Sequence, residues 1–558
     1  MVMAADRARD FLENERVFRL GALPTEQSHP LTAHLSRVIT GDLAGGVRQL
    51  LAVDRDIVAV ARRVFDGPAY AALVDALATA LREGRTIYFT GCGATGRLSI
   101  LLEAAWRAFW RDAPAARRGA QAAGMEGRVR SVMAGGDYAL IRSVEGFEDY
   151  PVFGRYQLAE AGVAAGDVVV AITEGGETPF VIGTAWQGVD AGASVFFVFN
   201  NPADVLSEHV ARSREVIEEP RITKLDLATG PMAIAGSTRM QATTIELLVV
   251  GAALESALES FLGEGAPMGE LGLTVDRAAQ FSDLLDRLSS QAGVASLCDW
   301  VRLEADTYAA GGRVTYAADD LLLDVMTDTT ERSPTFSLPP FRPHSDREAL
   351  PPWAFLKDPA RTTAQAWTHM LGRPPVGLTW DAGLYRDLGA PAVLAEDPPS
   401  LGAEAILDFK IGREPDPSRY EAASAVLVRL CSQGRPPAAR LEDEAQYSCC
   451  LECAIPFDRP VAASPLRLWE HLAVKLVMNS VSTATMARLG YVAGNWMIHV
   501  SASNKKLVDR SIRLIAAQTG MSYDHACHEL FITLDAPDAS GRHASPAART
   551  IDRLLGRG

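Results

Sequence analysis

Short apolar runs rich in Val, Ile and Phe alternate with helical segments from about residue 60 to about residue 260, and this alternation most restricts the folds open to the chain. Strands of continuous apolar character are typical of a parallel sheet that helices cover on both faces. The pattern predicts five strands at residues 86–90, 130–134, 167–173, 194–200 and 221–227. It also predicts helices at residues 97–110 and 238–262.

A second unit of the same kind begins after the Gly311-Gly312 pair. Its predicted strands are 313–319, 375–380 and 404–411, and its predicted long helix is 465–490. The Pro-rich stretch 333–352 cannot form a regular helix or a central strand, so we interpret it as an ordered excursion or a lid. We interpret residues 537–548 as a flexible connection to a final helix.

Length and charge limit the class of protein. A chain of 558 residues with 48% apolar residues can form two sizeable cores. The formal charge of −15 argues against a nucleic-acid or membrane partner. The first residues are charged throughout and resemble neither a signal peptide nor a membrane anchor, so we expect a cytoplasmic protein.

Seven cysteines without a disulfide-like spacing also fit a reducing compartment. Three of them, Cys449, Cys450 and Cys453, lie close together, but no fourth Cys or His ligand follows at the usual spacing. We therefore expect no metal and no other cofactor, and we interpret this segment as a buried strand.

A Gly-rich turn between the first predicted strand and the helix after it is the clearest sign of a ligand site. Gly91, Gly93 and Gly96 allow a sharp turn and a close approach of the backbone to a ligand. The helix start then offers unpaired N–H groups to an anion, and Thr95 adds a hydroxyl. The spacing also matches a dinucleotide-binding loop, but a single match of this kind is weak.

Two further loops carry hydroxyl groups at the ends of predicted strands or the start of a helix. Because the carboxyl ends of parallel strands share one edge of a sheet, the three loops are expected to meet in one crevice, although Ser and Thr at such places also act as simple helix caps. The predicted binding residues are Gly93, Ala94, Thr95, Thr173, Gly175, Gly176, Thr178, Ser237, Thr238 and Arg239.

Several unusual strings occur in an order that resembles one family: LPTEQSHPLTAHLSRV, GCGATGR, AGGDYALIRSVEGFEDY, GSTRMQATT, KLVMNSVSTATMARLGYVAGNW and SASNKKLVDR. The chain resembles the group that contains N-acetylmuramic acid 6-phosphate etherase and the glucokinase regulatory protein, which are built from SIS domains. The resemblance implies an α/β fold with two tandem SIS domains, each a flavodoxin-like parallel sheet flanked by helices. The implied segments are an N-terminal helical segment at 1–58, SIS domains at 59–265 and 266–490, and a small C-terminal helical cap at 491–558.

The resemblance also implies that Glu148, Glu331 and Lys506 face the sugar, while the hydroxyl-bearing loops hold its phosphate. An etherase carries a second glutamate on the first helix of the domain, and this position falls on Ala105. Glu103 is two positions away, about 200° around a helix, and cannot replace it. Without an acid for the departing oxygen, a standard N-acetylmuramic acid 6-phosphate etherase is not expected.

The loop after the third strand departs from the family pattern. Gly175 stands where the family has a phosphate-binding serine, and Glu174 and Glu177 add carboxylates. Each change weakens anion binding, through a lost donor or added repulsion. Either these carboxylates point outward, or the ligand differs from that of the family.

Two functions remain open. The first is a phosphosugar isomerase or lyase that acts on a hexose or amino-sugar phosphate through Glu148 as base, with Lys506, Glu331 and His471 as further candidate catalytic groups. The second is a non-catalytic sugar-phosphate sensor that resembles the glucokinase regulatory protein, for which a sugar kinase would be a natural protein partner. A homodimer is compatible with either function.

Overall fold

The computed structural model describes residues 2–15, 18–112, 124–144, 146–263, 276–435, 438–500, 502, 505–536 and 545–556. The chain starts with five helices, α1 (Val2–Asn14), α2 (Leu35–Gly41), α3 (Leu43–Val53), α4 (Asp56–Phe65) and α5 (Pro68–Arg82). The first domain continues with β1 (Ile87–Gly91), α6 (Ala94–Asp112), β2 (Val129–Met133), α7 (Pro151–Glu160), β3 (Val168–Thr173), α8 (Pro179–Asp190), β4 (Ser194–Phe199), α9 (Ala203–His209), α10 (Ala211–Glu218), β5 (Ile222–Asp226) and α11 (Gln241–Leu262).

These strands form a five-stranded sheet in the order β2-β1-β3-β4-β5, and every neighbouring pair is parallel. The strands β1 and β3 are buried along their whole length, as expected for a sheet covered by helices on both faces. All five strands begin and end within one residue of the predicted bounds. The parallel α/β fold predicted for the first domain is therefore confirmed.

The second domain contains α12 (Arg277–Leu288), α13 (Gln291–Ala309), β6 (Arg313–Ala317), α14 (Leu322–Phe336), β7 (Ala354–Lys357), α15 (Thr363–Leu371), α16 (Ala382–Asp387), α17 (Ala392–Glu396), α18 (Ala403–Leu407), β8 (Ala425–Ser432), β9 (Cys449–Ile455) and α19 (Leu468–Arg488). Its sheet is also parallel, in the order β7-β6-β8-β9. A small hairpin and three helices follow, β10 (Val492–Ala493), β11 (Trp496–Met497), α20 (Lys505–Thr519), α21 (Tyr523–Asp535) and α22 (Pro546–Leu555). The tandem arrangement of two parallel sheets is confirmed.

Two strands predicted for the second domain are wrong. Residues 375–380 make only an isolated bridge, between Leu378 and Leu401. Residues 404–411 start inside the helix α18, in which Ile406 is buried, and Phe409, two residues after the helix, is buried as well. A short apolar run does not distinguish a strand from one helical turn. The strands that flank β6 in the second sheet are β7 and β8 instead.

The interpretation of the Pro-rich stretch is wrong at its start. The helix α14 continues through Pro334 and ends at Phe336, where Ser337 adopts a left-handed conformation with φ of 51°. A proline in the last turn removes only one backbone hydrogen bond from the helix, so the helix tolerates it. Residues 337–353 are all described and contain no helix or strand before β7 begins. Residues 537–544 of the predicted flexible connection lie outside the described residues.

The cysteine-containing strand is β9, as predicted, but it is less buried than expected. Because β9 lies at the edge of the second sheet, Cys449 and Cys450 are exposed, and only Cys453 is buried. In the part of the chain that the structure describes, no single helix is long and apolar enough to cross a membrane; the bent pair Leu43–Phe65 and Pro68–Arg82 meets that measure only when taken together.

The two domains meet through helices. The helices α6 and α11 of the first domain pack against α14 and α19 of the second. A buried ionic network lies in this contact: Asp328 accepts hydrogen bonds from Arg239 at 2.8 Å and from Arg332 at 2.8 Å, and Arg332 also pairs with Glu304 at 3.1 Å. Side chains from both domains therefore neutralise one another inside the protein.

This network predicts a large effect of Asp328→Ala. The change would leave the buried Arg239 and Arg332 without a common carboxylate, which typically costs about 3–5 kcal/mol of unfolding free energy. The matched control is Asp299→Ala, because Asp299 pairs with Arg302 at 2.8 Å on the surface and such pairs contribute at most about 1 kcal/mol. Urea unfolding should separate the two variants, and equal shifts of their midpoints would contradict the prediction.

Candidate functional site

A cavity of about 210 Å³ lies at the carboxyl edge of the first sheet and is closed by helices α14 and α20; we call it the first cavity. It is lined by Gly93 and Ala94 after β1, by Glu174 and Thr178 after β3, by Ser237, Thr238 and Arg239 before α11, and by Glu148, Glu331 and Lys506. The three loops predicted from the sequence therefore each contribute to one cavity. This arrangement follows from the shared edge at which parallel strands end.

The loop after β1 is a tight turn into α6. A Cβ at Gly91 would lie 2.4 Å from the backbone of Thr95, so a larger residue cannot be accommodated there. Gly93 has a left-handed φ of 57° and faces the cavity. Thr95 is fully buried and its hydroxyl binds the backbone of Cys92, accepting from the N–H at 3.1 Å and donating to the carbonyl at 2.9 Å. The Thr95 side chain thus holds the turn and does not line the cavity.

The loop after β3 also has a buried part. The hydroxyl of Thr173 donates to the hydroxyl of Thr178 at 3.1 Å, so that Thr178 lines the cavity with Thr173 behind it. The carbonyl groups of Gly175 and Gly176 accept hydrogen bonds from Asn201 and Ser213, which hold the loop in place. Of the binding residues predicted on this loop, the cavity lining contains Thr178.

Glu177 is buried and points inward, so of the two alternatives left by the sequence, the outward orientation is wrong for this carboxylate. It accepts a hydrogen bond from Lys506 at 2.8 Å and pairs with Arg212 at 2.5 Å. Although burial raises the pKa of Glu177, Lys506 and Arg212 hold it at about 2. Lys506 lies at the start of α20, and Glu177 and Glu148 raise its pKa despite its burial. The neighbouring Lys505 is exposed and pairs with Glu15.

Among the described residues, three carboxyl groups line the first cavity: Glu148, Glu174 and Glu331. Burial, and then the nearby carboxylates of Glu331 and Glu148, raise the pKa of Glu174 from 4.5 to about 7. The Sγ atom of Cys92 is 3.9 Å from an oxygen of Glu148. Burial and the carboxylates of Glu148 and Glu174 raise the pKa of Cys92, so it stays a thiol and is unsuited to act as a nucleophile.

Glu331 enters the first cavity because the two domains repeat one another. The strands β1 and β6 hold the same place in their sheets, next to the first strand in each order. Ala105 lies fourteen positions after Gly91, the last residue of β1, and Glu331 lies fourteen positions after Ala317, the last residue of β6. The helix position that lacks a glutamate in the first domain therefore has one in the second.

This repeat bears on the argument against a standard etherase, which rests on the alanine at position 105. Ala105 does not line the first cavity, whereas Glu331 does, and Glu331 accepts a hydrogen bond from the fully buried Arg97 of α6. A glutamate at the helix position that lacks one in the first domain therefore lies beside the first cavity, on α14 of the second domain.

His471 does not join the other candidate catalytic residues. Its Nδ1 atom is 2.9 Å from Asp324, and both side chains line a different cavity of about 420 Å³, which we call the second cavity. The prediction had placed His471 only by its position on a long helix. The helix α19 contributes His471 to the lining of the second cavity and none of its described residues to the lining of the first.

Arg510 is a lining residue that the sequence did not indicate. It lies on α20, one turn after Lys506, and its guanidinium pairs with the buried Glu26 at 2.7 Å. Although burial raises the pKa of Glu26, Arg510 and Arg513 hold it well below its usual range. The spacing of four residues from Lys506 is the signal that would have identified Arg510.

Metal ligation has no candidate here: within the described residues, no group of three or more His, Cys, Asp or Glu side chains is arranged to hold an ion.

Parts of the chain are similar to known proteins. Residues 70–187 match the model of the glucokinase regulatory protein N-terminal SIS domain. The N-acetylmuramic acid 6-phosphate etherase of Gloeobacter violaceus is 31% identical over 51% of this chain and 85% of that protein. The enzyme of the same name from Rubrobacter xylanophilus is 30% identical over 56% of this chain and 93% of that protein. The tagatose-6-phosphate ketose/aldose isomerase of Escherichia coli aligns with a TM-score of 0.38 and 14% identity, over 79% of this chain and 94% of that chain.

The raised pKa of Glu174 predicts a pH effect on stability. Its folded-state pKa of about 7 lies above the ordinary 4.5, so the stability associated with its bound proton is present below pH 4.5 and is lost as the pH rises through 7. As the pH rises from 5 to 8, the Glu174→Gln variant should therefore lose less stability than the wild type, as measured by thermal unfolding. Parallel curves for the two proteins would contradict this prediction.

Proposed function

We propose that this chain, which belongs to the SIS-domain family of N-acetylmuramic acid 6-phosphate etherases and glucokinase regulatory proteins, is a phosphosugar lyase whose site is the first cavity. The observation that carries the proposal is the presence of three carboxyl groups, Glu148, Glu174 and Glu331, around one cavity that both domains line. Elimination from a sugar requires a base and an acid, and carboxyl groups with different environments can provide both.

The phosphate group is assigned to the start of α6. Gly93 and Ala94 bring backbone N–H groups and the positive end of the helix to the cavity. The hydroxyls of Thr178, Ser237 and Thr238 lie in the same lining. The acidic Glu177 does not oppose an anion there, because Lys506 and Arg212 already neutralise it.

The chemical step is assigned to Glu148 and Glu174. Glu148 as base removes a proton from the carbon next to the carbonyl of the open-chain sugar. The electron pair left on that carbon forms a double bond as the C–O bond at the next carbon breaks, and the departing oxygen takes a proton from the carboxylic acid of Glu174. A group with a pKa of about 7 is partly protonated at neutral pH and can donate that proton.

Glu331 has a different part in this proposal. The buried Arg97 donates a hydrogen bond to Glu331 and so holds its carboxylate in place. The carboxylate is therefore suited to accept a hydrogen bond from a sugar hydroxyl group. The substrate is a hexose or amino-sugar phosphate that carries an ether substituent, since related enzymes are named for ether cleavage of such a sugar. We propose a cytoplasmic location, as the sequence predicts.

A sugar-phosphate sensor is the second candidate, and the ion pairs at the cavity favour it. Arg97 and Glu331 join the two domains, and Lys506 joins α20 to Glu177 of the first domain. A sugar phosphate that competes for these charged groups would shift the domains and change a binding surface. In that case a sugar kinase is the proposed protein partner, and a homodimer is compatible with the same mechanism.

Glu148→Gln distinguishes the two candidates. For a lyase, the change should lower turnover by about 10²–10⁴-fold, because the base is lost, while the dissociation constant stays near that of the wild type. The assay follows product release from hexose and amino-sugar 6-phosphates with and without a 3-ether substituent, and calorimetry gives binding. The matched control is Glu215→Gln, because Glu215 is an exposed glutamate of the same domain on α10.

The outcomes separate the candidates. If wild-type protein binds a sugar phosphate, converts none, and Glu148→Gln weakens the binding, the sensor replaces the lyase. If Glu148→Gln converts and binds its substrate normally, neither role of Glu148 holds. If no sugar phosphate binds the wild type, the first cavity is not the site that we propose.

A further inference from the structure

The second cavity is the counterpart of the first one in the repeated architecture. It lies where the strand β6 ends and the helix α14 begins, as the first cavity lies between β1 and α6. Ser464–Arg467 line it just before α19, as Gly236–Arg239 line the first cavity just before α11. The helices α6 and α14 each reach both cavities: the first receives Glu331 of α14, and the second receives Ala105 of α6.

The residue at the anion position differs between the two cavities. Ala94 lies three positions after the end of β1 and starts α6, and Asp320 lies three positions after the end of β6, just before α14. Both residues line their cavities. A carboxylate therefore stands in the second domain where the first domain leaves space beside the helix start.

Three basic side chains from three separate segments converge on that carboxylate. Arg467 approaches Asp320 to 3.1 Å, Arg435 to 3.5 Å and His369 to 3.6 Å. His369, together with Arg467 and Arg435, holds the pKa of Asp320 well below its usual range. Two arginines and a histidine around one anion at a helix start are the groups that bind a phosphate in proteins.

We propose that the second cavity is a phosphate-ester site whose anion position is filled by the chain's own Asp320 carboxylate, so that the protein binds one phosphate ester per chain. Arg467 and Arg435 also contact Glu470, at 2.8 Å and 3.3 Å, so they remain positioned when Asp320 is replaced. Removal of the Asp320 carboxylate exposes an anion site for inorganic phosphate or for the phosphate of a sugar. Once the Asp320 carboxylate is removed, the site binds without reacting, because Ala105 stands at the repeat position that Glu331 occupies in the first cavity.

The test counts bound inorganic phosphate by equilibrium dialysis of the full chain. Wild-type protein should bind at most one equivalent, and Asp320→Gly should bind one more. Asp320→Asn, which removes the charge at nearly constant size, should also gain phosphate and carries the test if the glycine variant does not fold. Asp112→Gly is the matched control, because Asp112 lines the same cavity but pairs with its neighbour Arg111.

A second substitution locates the added phosphate. Arg435→Ala in the Asp320→Gly background should lose the added equivalent and leave any phosphate in the first cavity unchanged. Two equivalents on wild-type protein, or no gain in folded Asp320→Gly and Asp320→Asn, would overturn the proposal. If wild-type protein binds none and Asp320→Gly binds one, the second-cavity proposal stands and the proposed function of the first cavity is the one that fails.

Discussion

The buried contact of α6 and α11 with α14 and α19 is the constraint on which the rest of the structure depends. Each domain alone would leave charged helix faces exposed, since Arg97 and Arg239 of the first domain find their carboxylates on α14 of the second. Unpaired charges inside a protein are strongly unfavourable, so these pairs define how the domains sit against each other. The same contact brings α14 to the edge of the first sheet, and the first cavity exists only in this arrangement.

Charge balance explains how an acidic loop can lie beside the proposed phosphate position. The family-like loop after β3 gains Glu174 and Glu177, but their environments differ. Glu177 is neutralised by Lys506 and Arg212, whereas desolvation and nearby carboxylates raise the pKa of Glu174 to about 7, so that it is partly protonated at neutral pH. Two neighbouring glutamates thereby become a structural ion pair and a candidate acid.

The two cavities show how one repeated architecture becomes two different sites. Tandem fusion gives each site a helix start from one domain and a helix face from the other. In a symmetric homodimer, one substitution would change both sites, but in a single chain with two domains the two sites can differ. Here the glutamate is kept at 331 and absent at 105, and a carboxylate stands at 320 but not at 94. The proposed chemistry therefore uses the first cavity.

Patterns within short stretches of the sequence determined much of the fold of the first domain. Continuous apolar runs identified the five strands of the first sheet, and the turn at Gly91 and Gly93 identified the loop beside the first cavity, because both depend on residues close together in the chain. The tertiary structure alone decided that α14 brings Glu331 to this cavity, that Glu177 turns inward to Lys506, and that His471 points to the other cavity. Each of these depends on contacts between residues more than a hundred positions apart, whose geometry is defined by the packing of the two domains and leaves no periodic signal in the sequence.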